Sequence, residues 1–399
     1  MNNLKSIITT VALTSAAVAF GQKDVENSYF VTPVQGEMTV DGHQVFYSLP
    51  ANSLTVSFKI EKTVKAKGPY AQYADKYLNI TNGIIDESST IYSVENVKVE
   101  RQSQPDTSQL YAINFTGIDN LPMIQLNDDG TILACNCPRI VQGGKAVKPQ
   151  NSVEPDAKPI SFLDMGVKPF IIEEEEDDND EDSVEVKKPK MQQPIVTTEE
   201  ENAAAAADFI RKIRKRRLKL VAGIAEEANN ADGKAMKLMI SELDRLEAEY
   251  LSLFVGKSVK YTYTQTVTVL PDGESAAEQI TLGYFSKLSG FSAKQDARRG
   301  DSYPIVMKIN TLANSPKVSI KEVDTSSKSS SSIKYGLYHR IPGTVSLSID
   351  CDGFLHFGGQ FCIAQKGVVV PMPADYLANQ KYSIEFDAET GALKRISGN

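Results

Sequence analysis

The sequence predicts an α+β, β-rich protein in which two antiparallel β domains, each a sandwich or a partial barrel, flank a central helical hairpin. Three observations carry that prediction. Residues 36–133 and 257–399 alternate apolar and polar side chains with the period of a half-buried strand. Residues 198–256 carry apolar side chains at helical spacing behind a capping signature. A chain of 399 residues, 41% of them hydrophobic, is long enough to bury more than one core.

Lys5 stands in a short polar start, and an uninterrupted small and apolar run follows from Ile7 to Phe20. That run is too short for a stable membrane helix, and Ala19-Phe20-Gly21 sets small residues at a peptidase site. Residues 1–21 therefore read as a signal peptide cut before Gln22. The first cysteine is Cys135, so no lipid anchor is implied. No other apolar stretch approaches about 20 residues, and the mature chain is expected to have no transmembrane segment. Together these features predict an exported protein of the periplasm or the outer-membrane surface.

Residues 22–141 read as a β-rich domain with one short helix. Strands are expected at 45–49, 54–64, 91–99, 110–115 and 131–134, the last after the turn Asp129-Gly130. The helix follows Gly68-Pro69 and stops at Asn82-Gly83. Its tyrosines, Tyr70, Tyr73 and Tyr77, share one face. Either that face packs on the N-terminal sheet with its hydroxyls on backbone partners, or it is an exposed aromatic strip facing a partner.

Residues 142–197 turn to Pro, Lys, Gln and acids, with nine acids in the ten residues 173–182. Such a stretch buries too little to order its backbone and reads as a mobile, disordered linker. The alternatives for the acidic region are a loosely held calcium ion or a basic partner.

In residues 198–256, Thr198 and Glu201 form a capping box ahead of an alanine run, so a helix is expected from there to Gly223. A second helix from Asp232 carries the stripe Met236, Met239, Ile240, Leu243, Leu246, Tyr250 and Leu253. The two are expected to pack antiparallel. Seven bases in the nine residues 211–219 suggest a solvated face, or pairing with the acidic linker. The run could also suggest nucleic acid, but an exported chain rarely meets any, and no nucleic-acid partner is expected.

Residues 257–399 read as a sandwich-like domain, with strands at 258–270, 279–288, 305–309, 344–349, 354–363, 381–386 and 393–396. A Ser-rich stretch at 325–332 reads as a flexible loop.

Cys135, Cys137, Cys351 and Cys362 are expected to be structural, as one or two disulfides or as buried thiols. A metal site from Cys135, Cys137 and His356 is the sharper alternative, although a single intervening residue is not the usual zinc spacing. The other histidines, His43 and His339, stand in no paired-ligand pattern. Asp350-Cys351-Asp352-Gly353 reads as a hairpin turn and lacks the closing glutamate of a calcium loop. Gly143-Gly144 and Gly358-Gly359 lack the spacing of phosphate loops. No catalytic, cofactor or metal residue is nominated. The absence of tryptophan weakens a lectin reading.

Several separated motifs resemble the domain-of-unknown-function family 4831 over nearly the whole mature chain. They are Gly68-Pro69-Tyr70 with Tyr73-Ala74 and Lys76-Tyr77-Leu78, then Leu251-Ser252-Leu253-Phe254-Val255-Gly256 and Tyr338-His339-Arg340-Ile341-Pro342. Further along stand Ile363-Ala364-Gln365-Lys366-Gly367-Val368, Pro371-Met372-Pro373 and the close from Phe386 to Leu393. The acidic linker and the Cys135/Cys137 pair look like local departures. The resemblance implies exported proteins of Bacteroides-type bacteria and no activity. It also implies a glycosylation site at Ser183, within Asp182-Ser183-Val184.

The function expected is that of an exported cell-envelope protein, a non-catalytic binding or scaffold protein whose partner is an envelope protein or a glycan. The alternative is a periplasmic or surface hydrolase acting on glycans or peptides. The first helix can cover the stripe of the second, so a monomer suffices, with a weak homo-oligomer through the helices as the other state.

Overall fold

The computed structural model describes residues 28–34, 36, 40, 42–116, 121–139, 141, 150–163, 198–223, 233–295, 301–313, 315–316, 318, 335–351, 354–378 and 380–398. The signal peptide, the acidic run, Ser183, the Ser-rich stretch and the turn Asp352-Gly353 lie outside them. No helix among the described residues is long and apolar enough to cross a membrane.

The fold is α+β and β-rich, built on two long hairpins. One joins β2 (Gln44–Ala66) to β3 (Ser89–Thr116), and the other joins β10 (Tyr335–Cys351) to β11 (Phe354–Pro373). The first hairpin takes β1 (Ser28–Pro33) and β6 (Lys257–Val269) into an antiparallel sheet of order β1-β3-β2-β6. The second takes β7 (Ala277–Ser286), β8 (Gly290–Ser292) and β9 (Tyr303–Thr311) into a sheet of order β11-β10-β9-β7-β8. A smaller sheet has the order β13-β12-β5-β4, from β4 (Ile124–Leu126), β5 (Ile132–Cys135), β12 (Tyr382–Phe386) and β13 (Leu393–Gly398).

Strands of residues 22–141 therefore share sheets with strands of residues 257–399. Ile60 of β2 stands opposite Tyr263 of β6, and Cys135 of β5 stands opposite Ile384 of β12. This differs from the reading of two separate β bodies. Alternation tells which face of a strand is buried but not which strand lies beside it, and partners far apart in sequence leave no local mark.

Both hairpins are long enough to contribute to two apolar cores. In the first, Leu54, Val56, Phe58 and Ile60 of β2 meet Val345, Leu347 and Ile349 of β10 and Ile305, Met307 and Ile309 of β9, giving a sandwich. In the second, the other halves of the same strands, with Tyr47, Leu49, Tyr111, Ile113 and Leu337, pack on Ile132, Ile384 and Phe386 of the small sheet. Leu377 of α4 (Ala374–Ala378) closes that core. Each fully buried Leu, Ile or Phe contributes about 1.5–3 kcal/mol. Tyr47 is buried among them with its ring 5.5 Å from that of Tyr111, and its hydroxyl accepts from the Tyr338 N–H at 2.8 Å.

The helical pair forms as its local sequence dictates. In α2 (Glu199–Val221), the Thr198 side chain accepts from the Glu201 N–H and the Glu201 carboxylate accepts from the Thr198 N–H, closing the capping box. α3 (Gly233–Val255) runs antiparallel to it, because rising positions on one helix meet falling positions on the other. Phe209 packs against Tyr250 with the rings tilted, Arg214 pairs with Glu247, and Arg217 pairs with Asp244 and Glu247. Two arginines of the basic run thus take their carboxylates from α3, while Arg211 pairs with Asp208 on α2 itself. Both expected roles of the run, a solvated face or pairing with the acidic linker, leave out this contact at Arg214 and Arg217.

Candidate functional site

Between the two apolar cores lies a polar waist, made where both long hairpins lose regular register. On β3, the four residues Asp106–Gln109 stand opposite Leu49 alone, between the pairs Ser48↔Leu110 and Pro50↔Pro105. On β11, the four residues Ala364–Gly367 stand opposite Pro342 alone, between Ile341↔Val368 and Gly343↔Ile363. Bulges of this kind re-aim side chains. Here they turn Asp106, Gln365 and Lys366 into the waist.

The β11 bulge needs its glycine. A Cβ on Gly367 would lie 1.8 Å from the Ile341 carbonyl oxygen, so no larger residue fits without moving backbone.

Asn52, fully buried, ties β2 to the bulge with every polar atom used. Its N–H donates to Gln365 Oε1 at 2.8 Å and its carbonyl accepts from Gln365 Nε2 at 2.8 Å. Its Oδ1 accepts from the Ala364 N–H at 2.7 Å, and its Nδ2 donates to the Glu389 carbonyl at 2.7 Å. Gln365 Nε2 also donates to the Pro271 carbonyl at 3.1 Å, which holds the turn after β6.

Two buried cations complete the waist. Lys366 Nζ reaches Asp272 Oδ1 at 3.3 Å, Glu278 Oε2 at 3.1 Å and the Ser275 carbonyl at 3.0 Å. Asp272 also accepts from the Ser275 and Glu274 N–H groups, and these bonds to its charged form, Ser275 first, hold its carboxyl at a pKa of about 2. Arg340, 4% exposed, pairs with Asp106 and donates to the Ala364 carbonyl at 3.3 Å. Burial pushes the guanidinium below its ordinary range, and the Asp106 carboxylate opposes that shift. The Arg340 N–H donates to the Gly391 carbonyl at 3.0 Å, and Arg101 pairs with Glu389, so the turn after β12 is anchored as well.

Beside the waist, His339 is buried with its ring 6.2 Å from Phe386, and its Nδ1 has no partner among the described residues. Burial lowers its pKa. In the small sheet, buried Glu385 accepts from Arg139 and Arg395, and these partners, Arg139 first, lower its pKa.

The tyrosines singled out from the sequence lie elsewhere. A turn of 3-10 helix (Ala71–Tyr73) leads into α1 (Ala74–Leu78), and their face packs on the helical pair, not on the N-terminal sheet. Tyr70 is buried against Phe254 at a ring distance of 5.8 Å, among Ala203, Ala207 and Leu253. Its N–H donates to the Leu253 carbonyl at 2.8 Å. Tyr73 and Tyr77 are half-buried on the same core, and the Tyr77 hydroxyl donates to Glu200 Oε1 at 3.1 Å. A partner-facing strip would need all three rings in solvent. The face is an internal seam, with the small side chains of the alanine run making room for the rings.

None of the four cysteines is joined in a disulfide. Cys351 pairs with Phe354 in the β10–β11 ladder while Cys362 pairs with Thr344, seven residues further along, or about 24 Å at strand rise. A disulfide between them is out of reach. Cys135 faces the second core, and Asn136, in left-handed conformation, turns the chain so that buried Cys137 meets a separate cluster. Burial raises the Cys135 thiol to a pKa of about 12. His356 is exposed on β11, so the metal alternative is not assembled.

A shallow groove of 360 Å³ lies between the end of the β2–β3 hairpin and residues 157–160. Its titratable lining is Lys65 and Lys158, beside the hydroxyls of Ser88, Ser89 and Thr90, a set without an acid–base pair.

Sequence reading missed Asn52, Asp106, Gln365 and Lys366 as a unit. One signal was available for part of it, since Gln365-Lys366-Gly367 interrupts an otherwise apolar run from Phe361 to Val370. No curated protein and no solved structure matches this chain. The waist, the Tyr70 seam and the helical pair all fall within residues 43–394, which match the model of a domain of unknown function, DUF4831, and the chain belongs to that family.

Proposed function

We propose that this protein is an exported, non-catalytic binding or scaffold protein of the cell envelope, placed in the periplasm or at the outer-membrane surface. The observation that supports this reading is how the interior charges are used. Arg340, Lys366 and Glu385 are each engaged by partners from other strands or turns, so they lock sheets together. Groups tied in this way are poor acids, bases or nucleophiles, because any proton transfer would break a joint of the fold. What the molecule offers outward is sheet surface and sheet edge, which suit a protein or glycan partner.

Two measurements test the proposal. N-terminal sequencing of the chain from fractionated native cells is expected to give Gln22 as first residue, in the envelope fraction. Cross-linking in intact envelopes is expected to join the chain to a discrete partner at both low and high salt. Unprocessed chain in the cytoplasm would overturn the placement, and turnover of glycans or peptides by the purified protein would overturn the non-catalytic role.

A further inference from the structure

Strand β11 forms one edge of the five-stranded sheet, and among the described residues no backbone partner reaches its outer side over 354–361. Edge strands are ordinarily guarded by charges, proline, bulges or a cover. Residues 354–364 contain no Lys, Arg, Asp, Glu or Pro. A bulge at His356 ends the regular ladder on one side, since Ile349 pairs with Phe357 but Asp350 pairs with Leu355. Arg101 ends it on the other by donating to the Cys362 carbonyl. The bare ladder is thus Phe357-Gly358-Gly359-Gln360-Phe361.

This segment is nearly symmetric about its centre. Phe357, Gly359 and Phe361 stand opposite the core residues Ile349, Leu347 and Val345, so all three face the sandwich interior, while Gly358 and Gln360 face outward. The two rings lie 6.2 Å apart across Gly359. Two copies placed antiparallel about a twofold axis at Gly359 set Phe357 of each opposite Phe361 of the other, on the same face. Aromatic cross-strand pairs are among the favourable ones, and both ends of the ladder gain one. The outward positions bring Gly358 opposite Gln360, with no like charges to repel.

We propose that the β11 edge is a self-pairing surface, on which two copies of this chain join β11 to β11 about Gly359 and fuse two five-stranded sheets into one. A foreign strand would need aromatic side chains four residues apart around a small centre to match this edge, and the chain's own β11 meets that requirement by symmetry. The ladder is short, so the interface falls in the small, weak class and the dimer is concentration-dependent. The proposal concerns the folded chain and does not depend on where the protein resides.

The test uses two full-length variants in a Cys362→Ser background, Gly358→Cys and Gln360→Cys, carrying tags of different mass. Positions 358 and 360 of different copies are directly opposed in this register, at about 4.5–5.5 Å between Cα atoms, inside the disulfide range. Two copies of position 358, or of position 360, are diagonal neighbours at about 7–8 Å, beyond it. Mild oxidation of the mixture is expected to give at least about tenfold more covalent heterodimer than either homodimer. Equal homodimer and heterodimer, or monomer alone, would overturn the register and with it the proposal. In parallel, Gly358→Lys places a charge on the outward face, where a Cβ meets nothing nearer than 3.8 Å. Sedimentation should show wild-type mass rising with concentration and the Gly358→Lys chain remaining monomeric; self-association unchanged by the lysine would equally refute the pairing.

Discussion

Replacing Lys366 by Met removes the ammonium from the waist while keeping most of the aliphatic stem, so the loss reports the charge cluster more than packing. The lysine side chain is 1% exposed, Glu278 is 15% exposed and Asp272 is 47% exposed. Breaking a fully buried pair costs about 3–5 kcal/mol, most of it from the charge left behind without a partner. Asp272 rehydrates readily, so the penalty falls on Glu278 and on the Ser275 carbonyl, and a loss of about 2–4 kcal/mol is expected. Urea unfolding reads it as a lower midpoint at unchanged slope. The double variant Lys366→Met with Glu278→Gln separates causes. If the stranded Glu278 carboxylate dominates, neutralising it recovers part of the loss. A single variant within about 0.5 kcal/mol of wild type, or a double variant no better than the single, would refute the account of the waist as a charge-locked joint.

The other predictions concern single positions. Gly367→Ala is expected to lose about 3 kcal/mol, because its Cβ would sit 1.8 Å from the Ile341 carbonyl oxygen; the urea midpoint measures this against the exposed Gly358→Ala. Cys362 should react with a maleimide in the native protein, whereas Cys135, Cys137 and Cys351 react only on unfolding, as counted by intact mass. Burial lowers the folded pKa of His339, so the unfolded chain takes up its proton first as pH falls. The stability held above the unfolded value of about 6.5 is therefore lost as pH drops toward the lowered folded value. The difference in urea midpoint between wild type and His339→Gln should shift between pH 8 and pH 5, and a constant difference would count against the buried imidazole as its source.

Local features of this fold were legible in the sequence to the extent that their causes are local. The capping box at Thr198 and Glu201 involves residues three apart, and the helix begins there. The alternation from Lys257 to Val269 shows its strand because β6 is half-buried along much of its length. The strand β2 reads as two pieces, because Pro50 and the polar Asn52 and Ser53 interrupt its apolar pattern, yet it runs unbroken from Gln44 to Ala66. Proline is tolerated there because β3 bulges opposite. The tyrosine face was visible as a face, but its cover of small side chains, Ala203 and Ala207, lies more than a hundred residues away.

The same division explains why the waist escaped notice. Asn52 and Gln365 each look like an ordinary polar residue in a strand, and only the crossing of two hairpins makes them one unit. Its components meet because both hairpins pass from one core to the other, and at that passage neither set of apolar side chains can cover the backbone. The exposed peptide groups must then be paired by side chains or left dry at a cost of about 1–3 kcal/mol each. A bulge on each hairpin delivers polar side chains to that gap, and the cations Arg340 and Lys366 bring turns from other strands with them. The joint therefore sets the angle between the sandwich and the small sheet, and a loosened waist should free the two cores to unfold separately. Unfolding of a variant that removes both cations, Lys366→Met with Arg340→Met, monitored at the Cys351 and Cys135 thiols, one in each core, would then show two midpoints where the wild type shows one.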